Sequence, residues 1–251
     1  MPTALPNYSG ALIVQIEETI RRYLNVLGLD IRRTKNVPTF TMLGLPLRPV
    51  RTIVDVGANR GQFARKVLPL FPAAALYSFE PLPSACRELR KLADTHPNMH
   101  VRQLALGDRP GAAIFHEHVD HTPSSSLLSA TPESRRLFPQ TSRQQETEVE
   151  ISTLDEQFPK PEDLIRQVLL KLDVQGYEDR VLRGGRKLLN YVDIVITEYS
   201  VVSLYEGQAT FLEISEELAS AGLTYAGNLD QIYDEHGTVL FLDAVFIRNG
   251  R

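Results

Sequence analysis

The stretch Thr52-Ile53-Val54-Asp55-Val56-Gly57-Ala58-Asn59-Arg60-Gly61-Gln62 constrains this chain more than any other. Its short apolar, β-branched run predicts a buried strand. The glycine-bearing turn then feeds a helix, with Phe63, Ala64, Val67, Leu68 and Phe71 at helical spacing and Pro69 and Pro72 at its end. Strand, turn and helix N-terminus bring backbone N–H groups and open space to one point, where open α/β sheets take their ligands. Gly57 and Gly61 carry no side chain and are expected to let a ligand approach the main chain.

The glycine spacing separates cofactor classes. A dinucleotide fingerprint needs G-x-G-x-x-G with backbone amides on a pyrophosphate. Position 59 is Asn, which leaves G-x-x-x-G. Asp55 also sets an acid ahead of the turn, which suits a cationic ligand better than a pyrophosphate. S-adenosylmethionine, with its sulfonium and ammonium, meets both conditions. The competing readings are an NAD-binding oxidoreductase on a related fold and a glycine turn that serves only strand–helix packing.

With 251 residues the chain can bury one sizeable core. Net charge is −4 and the isoelectric point is near 5.9. No basic stripe is visible, which argues against nucleic acid as partner. The single cysteine, Cys86, leaves no internal disulfide and no Cys-rich zinc site, and suggests a reducing compartment; as the helix after the second strand packs, it is expected to be core filler. With no signal-peptide pattern and no apolar run of membrane-spanning length, the expectation is a cytoplasmic protein without a membrane span.

Taken in order, residues 11–27 predict a helix, with Leu12, Ile16, Ile20, Leu24 and Leu27 along one side. It is an accessory helix packed on the main domain, a homodimer contact or part of a substrate wall. Residues 28–49 read as a linker, so the expected division is 1–49 and 50–251. A second strand, Ala74 to Pro81, ends in Glu80, placed to accept hydrogen bonds from both ribose hydroxyls. A third strand is predicted over His100–Leu106, where backbone groups of Ala105 and Leu106 or the Asp108 carboxylate would meet an adenine edge. Asp108 serves equally as a turn residue. Residues 111–151 break the βα rhythm: two alternating stretches are expected to pair and extend the sheet, with a lid between them. His116 and His118 share a strand face there and read as surface histidines rather than a metal pair. A fourth buried strand delivers Asp173, a fifth delivers Glu198, and a helix over Phe211–Ala221 leads to a closing antiparallel pair.

These segments together resemble the FkbM family of class I S-adenosylmethionine-dependent methyltransferases. The carrying residues are Asp55 to Gln62, Phe79-Glu80-Pro81, Ser125-Ser126-Leu127, Thr153-Leu154-Asp155, Leu170 to Glu178, Val181 to Gly185, and Glu198, over roughly residues 50–248. The resemblance implies a Rossmann-like doubly wound α/β sheet, mostly parallel with a C-terminal antiparallel hairpin. It also implies O-methylation of a small-molecule or glycan hydroxyl. With the residue reading, it puts Asp55, Gly57, Asn59, Gly61, Gln62, Glu80, Pro81, Ala105, Leu106, Asp108, Ser125 and Asp173 at the cofactor. One departure stands out. The family usually has D-V-E-G where this chain has Asp173-Val174-Gln175-Gly176. If the family acid acts in catalysis, the chain could be a non-catalytic S-adenosylmethionine-binding protein; if it only hydrogen-bonds, glutamine can replace it.

Methyl transfer to a hydroxyl needs a base near the methyl carbon. Asp173 is the first candidate and Glu198 the second, and the alternative for Asp173 is a helix cap or a contact to the cofactor ammonium. Asp173 and Glu198 together could also hold a divalent cation, though no third ligand is evident. His116, His118 or His121 could supply a base from the lid.

Overall fold

The computed structural model describes residues 18–24, 26–29 and 37–248. Two compact units divide between Thr41 and Met42. In the first, residues 18–24 are helical and Pro38–Thr41 adds a helical turn. The rest of the helix expected from residue 11 lies outside the described residues.

The second unit is built on a seven-stranded sheet. Its strands are β1 (Thr52–Val56), β2 (Ala75–Phe79), β3 (Met99–Arg102), β7 (Val168–Leu172), β8 (Ile194–Ser200), β9 (Leu223–Tyr233) and β10 (Val239–Arg248), in the order β3-β2-β1-β7-β8-β10-β9. Pairing is parallel from β3 to β8, and β10 runs antiparallel to both β8 and β9. This is the expected doubly wound sheet with its closing hairpin. The strand order reverses between β1 and β7, so their C-terminal ends flank the crevice where such sheets take ligands.

Strands β1 and β7 are buried at every position, as near-continuous apolar runs in a parallel sheet must be. Alternate residues serve opposite layers. Val54, Val56, Leu170 and Leu172 pack with Val181, Leu182, Leu188 and Leu189 of helices α5 (Glu178–Arg183) and α6 (Arg186–Leu189). Ile53 and Leu169 pack with Ala64 and Val67 of α1 (Gln62–Val67) and Leu89 of α2 (Pro83–Ala93). Each such side chain contributes roughly 1.5–3 kcal/mol on burial.

Two expectations are corrected. The strand foreseen over 100–106 is two strands: β3 ends at Arg102, and β4 (Ala105–Leu106) joins another sheet. The Glu80 N–H takes the Arg102 carbonyl at 3.1 Å, and Pro81 then has no N–H to continue the ladder. The inserted strands β5 (Gly111–His118) and β6 (Gln144–Ser152) do pair, but they do not extend the main sheet. With β4 they form a separate three-stranded sheet in the order β4-β6-β5. Helix α1 also stops at Val67, before Phe71, because Pro69 cannot continue it. Helices α3 (Pro132–Leu137), α4 (Leu154–Gln157) and α7 (Phe211–Ser220) complete the unit.

The Gly184-Gly185 pair has a packing origin. A Cβ on Gly184 would lie 1.9 Å from the Gly107 carbonyl oxygen, and one on Gly185 2.7 Å from Leu154 Cδ1. The turn between α5 and α6 therefore docks directly against the turn after β4.

Candidate active site

The end of β1 is held from both sides. Gly57 and Ala58 N–H groups both donate to the Phe79 carbonyl at 3.0 Å, and the Asp173 N–H donates to the Val56 carbonyl at 3.0 Å. Gly57 has φ +80°, and a Cβ there would lie 1.9 Å from the Asp173 carbonyl oxygen. A Cβ on Gly61 would meet Leu89 and Leu92 at 3.2 and 3.3 Å. Protein atoms stand where a side chain on either glycine would point. Glycine is required because the β1 turn packs against β7 and α2. Asn59 sits at φ 46°, in the left-handed region that Asn tolerates.

Glu80 leaves β2 buried, with one carboxylate oxygen accepting from the Asn59 N–H at 2.9 Å and the other from the Leu82 N–H at 2.8 Å. Burial pushes its pKa up to about 7, against the pull of those two N–H bonds. Asp55 is fully buried, and neither of its carboxylate oxygens has a hydrogen-bond partner among the described residues. Burial raises its pKa to about 6, with Lys171 opposing and Asp173 adding to the rise. Ala105 and Leu106, on β4 of the smaller sheet, are buried, while Gln62 and Asp108 are exposed and Pro81 is half-buried. The buried Cys86 thiol donates to the Glu80 carbonyl at 3.0 Å, and burial pushes its pKa up to about 11, so it is no nucleophile.

Beyond β7 lies a second cluster. Lys171 sits in register with Asp55 across the β1–β7 ladder, and its ammonium meets Asp173 Oδ2 at 2.8 Å. Its side chain is 10% exposed and that of Asp173 32%, so Asp173 is the partner a second substrate can reach. Burial disfavours the charged lysine, but Asp173 and Asp55 outweigh it and hold its pKa above the usual lysine range. Gln175 donates from Nε2 to Asp173 Oδ1 at 2.8 Å and to Glu198 Oε1 at 2.7 Å. Its Oε1 accepts from the Tyr205 hydroxyl at 2.6 Å. Burial, then the Asp173 and Glu178 charges, raise Glu198 well above the usual carboxylate range. Glu178, capping the Val174 N–H at 3.0 Å, is pushed by burial to about 7. Asp243, in register with Glu198 on β10, is likewise raised, by burial and then by Asp173.

The segment between β5 and β6 lies across this edge. Ser126 Oγ donates to the Gln175 carbonyl at 2.8 Å, the Tyr205 hydroxyl lies 2.9 Å from the Ser124 carbonyl, and Ala130 bridges to Tyr205. Ser125 accepts the His118 N–H at 3.0 Å. His118 is fully buried, with Nδ1 on the Thr141 carbonyl, and burial lowers its pKa. It is a core histidine of the insertion, which corrects the expectation of two surface histidines at positions 116 and 118; His116 is half-buried. Among the described residues, no group of three His, Cys, Asp or Glu side chains is arranged to hold a metal ion.

The structure thus brings Asp55, Gly57, Asn59, Glu80 and Asp173 to one crevice, with Glu198 on the neighbouring strand β8 and tied to Asp173 through Gln175. Sequence reasoning missed Lys171, Tyr205 and Asp243. A lysine inside the apolar run Val168-Leu169-Leu170-Lys171-Leu172 was a readable signal, because a buried charge needs a partner. Tyr205 lies in a loop with no such signal.

A doubly wound sheet with a closing antiparallel hairpin, and acids at three adjacent strand ends, defines a class I S-adenosylmethionine-dependent methyltransferase. Residues 55–225 match the methyltransferase FkbM domain, and the chain belongs to that family. It is 33% identical over 178 residues to the 2-O-methyltransferase NoeI of Sinorhizobium fredii (strain NBRC 101917 / NGR234), covering 69% of this chain and 73% of that protein. It is 27% identical over 185 residues to Methyltransferase 1 of Beauveria bassiana (strain ARSEF 2860), covering 69% of this chain and 72% of that protein. Among solved structures, it aligns with a Burkholderia thailandensis 1,6-didemethyltoxoflavin-N1-methyltransferase at a TM-score of 0.45 and 12% identity, over 100% of this chain and 93% of that one. Among the described residues, no helix is long and apolar enough to cross a membrane.

Proposed function

We propose that the protein is an O-methyltransferase acting on a hydroxyl of a sugar, glycolipid or natural product. The 2-O-methyltransferase relative supports the choice of oxygen as acceptor. The observation that carries the reading is the charge balance of the crevice. Asp55, Glu178, Glu198 and Asp243 are each raised with the Asp173 charge among the causes, and the buried counter-charge within this group is Lys171. A cationic donor relieves that excess, whereas an anionic pyrophosphate worsens it. The orphaned Asp55 carboxylate fits the same demand.

When bound, S-adenosylmethionine supplies an electrophilic methyl group on a positively charged sulfur. Asp55 contributes charge from beneath the turn, and Asn59 holds the Glu80 carboxylate, whose free lone pairs accept from ribose hydroxyls. Backbone groups of Ala105 and Leu106, or the exposed Asp108 carboxylate, meet the adenine. Gln62, Pro81, Gly61 and Ser125 line the approach. Asp173, with the Lys171 ammonium at 2.8 Å from its Oδ2, takes the proton of the acceptor hydroxyl as base, and Glu198 is the second candidate for that role. Holding the hydroxyl in line with the methyl supplies much of the acceleration.

Calorimetric titration with S-adenosylhomocysteine should give saturable 1:1 binding, and radiolabelled methyl transfer onto a panel of simple glycosides should identify an acceptor. Absence of binding would remove the reading.

A further inference from the structure

We propose that Gln175 is a positioning residue whose side-chain amide takes the place that a shared proton or a divalent cation would otherwise fill between Asp173 and Glu198. This deepens the methyl-transfer reading and rests on it for the role of Asp173. Ionised carboxylates only accept hydrogen bonds, so two facing acids need a donor or a cation between them. The Gln175 Nε2 carries two hydrogens, and each is used, at 2.8 Å to Asp173 Oδ1 and 2.7 Å to Glu198 Oε1. A cation bridging those same oxygens would sit where this nitrogen sits.

The two carboxylates set the orientation of the amide. Turned over, its oxygen would face both carboxylates. In the observed orientation, Oε1 accepts from the Tyr205 phenol at 2.6 Å. Burial first, then Glu198, Asp173 and Glu178, hold that phenol well above the usual tyrosine range, so it stays a neutral donor. The backbone is fixed as firmly. Gln175 sits at φ 55°, unusual for a non-glycine residue, and its carbonyl accepts from Ser126 Oγ at 2.8 Å. A Cβ on the neighbouring Gly176 would meet Gln208 at 2.9 Å, Tyr205 at 3.2 Å and Leu128 at 3.3 Å. The inserted segment thus presses the bridging residue into place.

Glutamate at this position keeps the shape but replaces the donor with a third acceptor. The ionisable groups around it are Lys171 on β7 and Asp173 just past its end, Glu198 on β8, Asp243 on β10, Glu178 on α5, Asp55 on β1 and Tyr205. Only Lys171 among these opposes another negative charge, and it is already on Asp173. Q175E must therefore hold a proton or recruit a cation.

The test uses the full chain and needs no acceptor. Melting temperatures of wild type, Q175E and Q175M are followed from pH 5 to 8.5, with and without MnCl2, and Mn2+ binding is read by electron paramagnetic resonance. The carboxyl that Q175E introduces has a raised folded-state pKa, which leaves stability intact at low pH and removes it as pH rises. The Q175E deficit should therefore widen by about 5 °C or more towards pH 8. MnCl2 should restore much of that deficit, with Mn2+ held about tenfold more tightly than by wild type. Q175M removes the donor without adding a charge, so its deficit should widen less with pH than that of Q175E and respond less to MnCl2. Should Q175E fail to fold, Q175E/E198Q removes one of the three charges and should recover. A Q175E deficit flat with pH and unmoved by Mn2+, or no recovery in the double variant, overturns the proposal. Failure of wild type to bind S-adenosylhomocysteine would instead sink the methyl-transfer reading and leave this titration standing.

Discussion

Replacing Lys171 by Met tests the electrostatics on which the crevice depends. Methionine keeps the length and the contact with Phe63, over whose ring the ammonium lies at 5.4 Å. What is lost is the charge, 2.8 Å from Asp173 and in register with Asp55. Removing one partner of a fully buried pair costs about 3–5 kcal/mol. The Asp173 side chain is 32% exposed, so solvent screens part of this, and about 2–4 kcal/mol is the expected loss. For a domain of this size that is a drop in Tm of roughly 4–16 °C. The loss should depend on pH. Without Lys171, the folded-state pKa of Asp55 rises further, and a group raised in this way loses stability as pH climbs through the folded value. The gap from wild type should be small near pH 5 and full by pH 8. Thermal denaturation at both pH values, with Lys171→Arg as the charge-retaining control, provides the measurement. A gap under about 1 kcal/mol, or one that does not change with pH, would refute the reasoning.

Other outcomes follow from single contacts. Gly57→Ala sets a Cβ 1.9 Å from a main-chain oxygen at φ +80°, and should destabilise by more than about 2 kcal/mol in urea unfolding. Glu80→Gln should weaken S-adenosylhomocysteine by about tenfold in calorimetry, since an amide cannot accept from the Asn59 and Leu82 N–H groups and two ribose hydroxyls together. Burial raises Asp55 to about 6 and Glu80 to about 7, so S-adenosylmethionine affinity should climb as pH rises from 5 to 8, because the cation favours the ionised acids. The same two groups draw down the stability of the free protein over that window, which a pH series of melting curves would record. Asp173→Asn should cut methyl transfer about a hundredfold or more while S-adenosylhomocysteine affinity stays within about threefold; turnover near wild type would remove Asp173 from the base role.

Much of the fold was legible because it is local. The β1 run, its glycine turn and the α1 face are written within twenty residues, and period and punctuation locate them. The hairpin of β9 and β10 is equally local. Errors fell where a long-range partner decides. Residues 100–106 read as one strand because nothing in them records that β2 runs into Pro81 and stops pairing. The strands β5 and β6 alternate as paired strands should, but alternation carries no address, and their third partner is β4. For Gly57 and Gly61, a sequence shows a missing side chain without showing that the Asp173 carbonyl stands beside the first and Leu89 and Leu92 beside the second.

By itself, the sequence determined that Asp55, Glu80 and Asp173 lie at the C-terminal ends of β1, β2 and β7, because strand runs and their stops are properties of neighbouring residues, whereas β8 runs two residues past Glu198 to Ser200. Tertiary structure alone decided what surrounds each acid: Lys171 on Asp173, no donor on Asp55, two backbone N–H groups on Glu80, and Gln175 between Asp173 and Glu198. The physical reason is range. Backbone periodicity acts over a few residues, whereas desolvation and charge pairing act between groups that the chain brings together only when the sheet has formed.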